Sequence, residues 1–258
     1  SDRFFRVNIG NHLSEPRTIK AGVPQGSVLG PSLYVLYTAD IPTSKNTISA
    51  LFADDTAVAA RHQDYNIAII NLQKMLDKIS AWTRRWKILI NDGKSIRVDF
   101  TLRFPTYIPS VINGKIVPQA NSARYLGLHL DSKLNWAEHI RQKRDELNLR
   151  FREFSWLIGR RSTLSLDSKR VIYTSMFKPI WTYGIQLWGT AKASNRMVIQ
   201  RFQNKFLRSI VNAPWYLTNA QLHADLNLRS VDEEYKRFVD KYSKRLHRHS
   251  NVEALMLL

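Results

Sequence analysis

Two neighbouring acids, Asp54 and Asp55, stand between the apolar β-type runs Thr47 to Ala53 and Thr56 to Ala60. Carboxylates about 4 Å apart repel by about 1 kcal/mol in water and about 4 kcal/mol at an effective dielectric of about 20. A pair held by strands on both sides therefore calls for a counter-cation. A hard divalent ion with oxygen ligands, Mg²⁺ ahead of Mn²⁺, meets that demand. Successive strand side chains point to opposite faces, so a two-residue turn at Asp54 and Asp55 lets both acids approach one ion. The same dipeptide also occurs in ordinary exposed turns, and its surroundings must decide between the two. Upstream, Ala21 Gly22 Val23 Pro24 Gln25 Gly26 Ser27 Val28 Leu29 Gly30 Pro31 is too rich in Gly and Pro to be an element interior. It reads as a shaped loop in which Gly22, Gly26 and Gly30 leave room for a backbone or a nucleotide to come close.

A Val-Pro-Gln-Gly-Ser loop followed by an apolar-Ala-Asp-Asp turn is far more specific than either part, and here the sequence resembles reverse transcriptases, in particular those of jockey-type non-LTR retrotransposons. The segment Ala21 to Pro31 is similar to the family's palm motif B. Phe52 Ala53 Asp54 Asp55 resembles motif C, with Phe52 in place of the commoner Tyr. Asn91 Asp92 Gly93 Lys94 Ser95 is similar to motif D, and Tyr125 Leu126 Gly127 Leu128 His129 Leu130 Asp131 resembles motif E. The helical part, including Tyr183 to Gly189, looks like the thumb and its connection. The resemblance implies that Asp54 and Asp55 bind catalytic metal, Mg²⁺ with Mn²⁺ as the substitute. It also implies that Pro24, Gln25, Gly26 and Phe52 line the template–nucleotide pocket. Lys94 becomes a candidate general acid toward the leaving pyrophosphate, and Tyr125, Leu126 and Gly127 become the primer grip. The implied partners are an RNA template, a DNA primer and deoxynucleoside triphosphates, and the implied location is intracellular, in the nucleus with the cytoplasm. The family's motif A, with the first metal-binding Asp, is expected before Ser1, so the two-metal cage is incomplete and the fragment alone is expected to be inactive. A truncated element product that binds nucleic acid without catalysis is the alternative.

The elements that must position these residues change character along the chain. Arg3 to Ile9 and Arg17 to Lys20 read as short strands around a turn at Ile9 to His12, and Pro31 suits the first turn of a helix carrying Leu33, Leu36 and Tyr37. Asp64 offers a cap to a long amphipathic helix through Ile69, Leu72, Leu76, Ile79, Trp82 and Trp86. The alternation of Ile96, Val98 and Phe100 predicts a strand with one buried face, Asn113-Gly114 predicts a hairpin turn, and Arg124 to Leu130 predicts a further strand. From about Trp136 the period is helical, over 136–157, 166–184, 192–212 and 231–248. The expected fold class is α+β: a partial palm with antiparallel sheet and helices over 1–133, then an all-helical thumb and extension over 134–258.

Composition bounds the function. The 258 residues carry a net charge of +18, and polyanionic nucleic acid is the commonest partner for such a field. With no cysteine, disulfide scaffolds, Cys-ligated zinc and thiol nucleophiles are excluded. No apolar run approaches the roughly 18 residues of a membrane span, so no membrane partner is expected. His223, His247 and His249 lack a zinc-site spacing and read as surface or capping residues, and Ser27 has no supporting His for hydrolase chemistry. Trp82 and Trp86 fall on the apolar helix face and read as packing residues, while Arg84, Arg85 and Lys87 face away. Arg84 and Arg85, then Arg141, Lys143 and Arg144, then Arg160 and Arg161 are candidate contacts to nucleic-acid backbone. Lys241, Lys244, Arg245 and Arg248 form a further basic cluster. The sequence leaves the oligomeric state open.

Overall fold

The computed structural model describes residues 3–19, 22–23, 26–102, 107–159 and 161–251. Pro24, Gln25 and Arg160 therefore lie outside the described residues. The chain divides into two compact units, one formed by 1–95 with 105–117 and the other by 96–104 with 118–258. The mixture of helices and small antiparallel sheets is the expected α+β class. Among the described residues every sheet has two strands.

In the first unit, β1 (Phe4–Phe5), β2 (Asn8–Ile9), β3 (His12–Leu13) and β4 (Arg17–Thr18) form two small ribbons, β1 with β4 and β2 with β3. Helix α1 (Gly30–Tyr37) begins with Pro31 in its first turn and buries none of its residues. Strands β5 (Thr47–Phe52) and β6 (Asp55–Ala60) pair antiparallel in continuous register from Thr47↔Ala60 to Phe52↔Asp55. Helix α2 (Tyr65–Trp86) starts where predicted, because the Asp64 side chain accepts from the Asn66 N–H at 2.7 Å and satisfies one orphan donor. Its Met75 and Ile79 are buried with Ile112 and Val117, the latter two from the hairpin of β7 (Ser110–Ile112) and β8 (Lys115–Val117), and Val58 of β6 packs on them. The hairpin turns at Asn113 and Gly114, both at positive φ (49° and 77°), as an Asn-Gly type I′ signal requires. Trp82 and Trp86 are half-buried, and their indole N–H groups donate to the two oxygens of Asp40 at 2.9 and 3.0 Å.

The strand expected around Ile96, Val98 and Phe100 does not form. Asp92–Lys94 is a short 3₁₀ turn, and beyond it a single bridge joins Arg97 to Gln119. Ile96 and Phe100 are exposed and Arg97 is buried instead, ion-paired to Asp99 at 3.0 Å. Arg97 is thus the buried residue of this segment, because a long side chain with a partner can be buried where hydropathy alone forbids it.

The second unit opens with β9 (Ser122–Tyr125) and β10 (Leu128–Asp131), a hairpin where one strand over Arg124 to Leu130 was expected. Helices then follow one another through α3 (Ala137–Glu153), α4 (Ser155–Ile158), α5 (Leu166–Ile172), α6 (Lys178–Thr182), α7 (Ile185–Trp188), α8 (Ala193–Ile210), α9 (Asn219–Asp225) and α10 (Val231–His247). The single helix expected over 166–184 is broken. Tyr173–Phe177 widens into a π-turn just before Pro179, which has no N–H to give to the preceding turn, and Gly184 at φ 65° ends the segment. Helix α9 was not foreseen, although Thr218 and Gln221 form a capping box with the spacing that signals a helix start. Phe151, Tyr173, Phe177, Phe202 and Phe206 build an aromatic cluster with neighbouring centroids from 4.7 to 6.3 Å apart. Around it lie the buried Leu147, Ile158, Trp181, Ile185, Trp188, Ile199 and Leu207. Buried Glu234 of α10 pairs with Lys178 of α6 and with Arg237, so α10 is held by charge as well as by apolar packing.

His139 is buried in this unit between Trp136 and Trp188, its Nδ1 accepting from the His129 N–H at 3.3 Å. Burial, with Lys143 and His129 nearby, pushes its pKa down to about 4. The unfolded chain then binds the extra proton at an ordinary histidine pKa, so stability falls as pH drops below about 6.5 and levels off below about 4. His139→Gln is expected to flatten that limb by about 2 kcal/mol, read from urea unfolding free energies at pH 7 and pH 4.5. An unchanged pH dependence in the variant would show that another group carries it.

Candidate functional site

The β5–β6 hairpin turns one residue earlier than the sequence suggested. Phe52 and Asp55 are a cross-strand pair, the two-residue turn is Ala53 and Asp54, and Ala53 carries the positive φ of 49°. Asp54 thus lies in the turn and Asp55 is the first residue of β6, a shift of one position from the expected Asp54–Asp55 turn. The shift follows from the register, because continuous pairing of six residues on each side leaves only two unpaired. Both acids are exposed, and so is Phe52 at 62%. Among the described residues no group of three or more His, Cys, Asp or Glu gathers around them or elsewhere. The hairpin alone supplies two oxygen donors of the hard anionic kind.

The glycine loop is described at Gly22, Val23 and Gly26 to Gly30. Gly22 and Gly26 have φ of 85° and 83°, with nothing within 4 Å of an added Cβ. Glycine there is a conformational requirement, in open space. Lys94 ends the 3₁₀ turn after α2, exposed, beside an Asp92 that pairs with Lys115. Arg84 and Arg85 are exposed in the last turn of α2, where their charge also complements the helix dipole.

In the second unit, Tyr125, Leu126 and Gly127 form the tip of the β9–β10 hairpin, with Leu126 and Gly127 at φ of 47° and 76°. The Tyr183 hydroxyl donates to the Leu126 carbonyl at 2.6 Å, and a Cβ on Gly127 would lie 3.2 Å from the Tyr183 ring. Tyr183 sits in the break between α6 and α7, and no sequence signal pointed to its role in holding this tip. On α3, Arg141 pairs with Glu138 and Lys143 with Glu146. Arg144 lies 5.1 Å over the Phe202 ring, and burial followed by the nearby Arg201 charge lowers its pKa. Arg161 is exposed. His223 is half-buried and engaged by Asn204 and Gln200 of α8 and by the Leu228 carbonyl, so it joins α9 to α8 and the following loop where a surface or capping residue was expected.

Comparison with known proteins adds a second line of observation. The family model described as "Reverse transcriptase (RNA-dependent DNA polymerase)" matches residues 2–130. Among curated proteins of Drosophila melanogaster, the probable RNA-directed DNA polymerase from transposon BS is 40% identical over 267 residues, covering 100% of this chain and 30% of that protein. The probable RNA-directed DNA polymerase from transposon X-element is 40% identical over 260 residues, covering 99% of this chain and 29% of that protein. The RNA-directed DNA polymerase from mobile element jockey is 34% identical over 264 residues, with 99% and 29% covered. The chain therefore spans about 30% of the length of these relatives. No solved structure matches it significantly.

The hairpin tip at Leu126 and Gly127 gives a direct expectation. Gly127→Ala adds a side chain at positive φ and against Tyr183, and should cost about 1–2 kcal/mol. Tyr183→Phe removes one hydrogen bond and should cost about 1 kcal/mol. Both are read as loss of thermal stability, and a double variant less destabilised than the two single effects combined would confirm that they act on one contact.

Proposed function

The chain belongs to the reverse transcriptase family, and from that premise we propose that it is palm and thumb of an RNA-directed DNA polymerase of a jockey-like non-LTR retrotransposon. Such a parent adds deoxynucleoside triphosphates to a DNA primer on an RNA template. The observation that carries the reading is the acid pair Asp54 and Asp55 at the tip of a fully registered hairpin, preceded by the glycine turn at Gly26. Residues 1–133 are read as palm and 134–258 as thumb and extension. The family resemblance points to an intracellular site of action, the nucleus with the cytoplasm.

Phosphoryl transfer asks the protein for positioning and for charge where negative charge develops. Asp54 and Asp55 would hold a divalent ion, Mg²⁺ in this reading, which supplies charge stabilisation to the reacting phosphate. Carboxylates from elsewhere must complete the ligand set. Pro24, Gln25, Gly26 and Phe52 would line the nucleotide pocket, Phe52 through its exposed ring. Lys94 would give its ammonium proton to the leaving pyrophosphate oxygen. The tip at Tyr125, Leu126 and Gly127 would bear on the primer strand, its shape fixed by Tyr183. Arg84, Arg85, Arg141, Lys143, Arg144, Arg160 and Arg161 would meet the nucleic-acid backbone. The net charge of +18 supports nucleic-acid binding even without catalysis, as a second reading, with affinity that falls steeply as salt rises.

Primer extension by the full-length polymerase tests the first reading. Asp54→Ala should lower the extension rate by about a thousandfold, the scale of several kcal/mol of lost charge stabilisation. Template binding in the same variant should stay within about twofold, since no phosphate-binding cation is removed. Equal extension by both proteins would end the reading.

A further inference from the structure

The turn between α8 and α9 exposes two large aromatic rings side by side. Trp215 is 90% exposed and Tyr216 is 70% exposed, their centroids 5.9 Å apart in an edge-to-face arrangement. Leaving that much apolar ring in water is costly, and the loop is not loosely hung. Arg208 of α8 donates to the Pro214 and Leu217 carbonyls and to the Asn219 side chain, so one guanidinium ties the loop on both sides of the two rings. The Thr218 capping box then fixes the start of α9 directly after them. The rings are therefore presented by a pre-shaped loop.

Charge around the loop selects the partner. Residues 168–224 contain eight Lys and Arg and no Asp or Glu. Exposed Arg201 and Lys205 lie one turn apart on α8, and Arg208 follows three residues later, so the cations form a stripe that leads to the loop. Beside the stripe, half-buried Arg144 lies over the Phe202 ring, close to the like charge of Arg201. Two neighbouring like charges call for an anion between them, and a phosphate meets that demand. Flat aromatic faces at the end of a phosphate-binding stripe are the two components of single-strand nucleic-acid recognition.

We propose that Trp215 and Tyr216 form a stacking platform for an unpaired base of single-stranded nucleic acid, whose backbone runs along Arg144, Arg201 and Lys205. The proposal deepens the polymerase reading and rests on it only for the presence of nucleic acid. It gives the second unit a contact with a strand that is not paired, through base faces and phosphates and without base-edge readout. A protein surface docking on the same rings is the competing occupant, and the absence of any acid across 168–224 leaves it only hydrophobic contact and an acidic face to use.

The test uses the 258-residue chain, its Trp215→Ala/Tyr216→Ala variant and its Arg201→Ala/Lys205→Ala variant. Each is titrated against labelled single strands of about 16 nucleotides, in RNA and DNA arms, and against a duplex of the same length. Because both rings are exposed, the aromatic variant should keep the wild-type melting temperature. It should bind single strands at least about tenfold more weakly, bind duplex within about twofold, and keep the wild-type salt slope. The charge variant should weaken both and lower the salt slope. A loss confined to the RNA arm or to the DNA arm identifies which strand stacks there. Wild-type affinity in the aromatic variant, or an equal loss for single strand and duplex, would overturn the proposal. So would a self-associated wild-type chain that the aromatic substitutions make monomeric, since the rings would then pair copies of the protein. None of these outcomes bears on Asp54, so primer extension judges the polymerase reading separately.

Discussion

Antiparallel register in the β5–β6 ribbon is the constraint on which the proposed chemistry depends. Six consecutive pairs from Thr47↔Ala60 to Phe52↔Asp55 leave Ala53 and Asp54 as the only way to reverse the chain. A slip of one residue would exchange the faces of every side chain on the ribbon and move the acids away from the tip. The register is held in turn by Val58, which packs on Met75, Ile79, Ile112 and Val117, so α2 and the β7–β8 hairpin act as the support of the tip. The ribbon thus rests on its support through half-buried Val58 and is free at the end that carries charge. That division is what a site for an exposed ligand requires, because the carboxylates stay solvated until a cation arrives.

The second unit solves a different problem. Its net positive charge would oppose compaction, and a dense aromatic core offsets the repulsion. The core also fixes surface features. Tyr183 reaches the hairpin tip from a helix break next to Trp181 and Trp188, and Trp188 donates its indole N–H to the Trp181 and Tyr183 carbonyls that the break exposes. The Gly184 break therefore serves as an anchor for the hairpin tip, while Leu128 and Leu130 pack the rest of the hairpin against the core. Arg208 does the same for the loop between α8 and α9.

Much of this was legible from local chemistry. The Asp64 cap, the Asn113-Gly114 turn and Pro31 in a first helical turn each follow from a residue whose backbone preference is narrow, and the tracts over 192–212 and 231–248 follow from helical periodicity. Errors arose where a specific partner outvoted the hydropathy pattern. Arg97 is buried because Asp99 meets it, where a buried face of Ile96, Val98 and Phe100 was expected. The Arg124 to Leu130 segment looks like one strand to periodicity, yet Leu126 accepts a left-handed conformation once Gly127 follows and Tyr183 binds its carbonyl. The acid turn was placed one residue late, since composition marks a turn without setting the register that closes it. The candidate site was read through motif order more than through geometry, and Pro24 and Gln25 lie outside the described residues. The Trp215–Tyr216 platform had no sequence signal beyond two aromatics after a proline, because exposure is a property of the folded chain.

The central claim is that Asp54 and Asp55 together attract a divalent cation to the ribbon tip. Titration of the isotope-labelled chain with Mn²⁺, followed by amide NMR, examines that claim directly, since the paramagnetic ion broadens signals only near where it dwells. The account predicts selective broadening of Phe52, Ala53, Asp54 and Asp55 that competes with Mg²⁺. Broadening that favours another acidic stretch, such as Asp232 to Glu234, or spreads evenly over the surface, would contradict it.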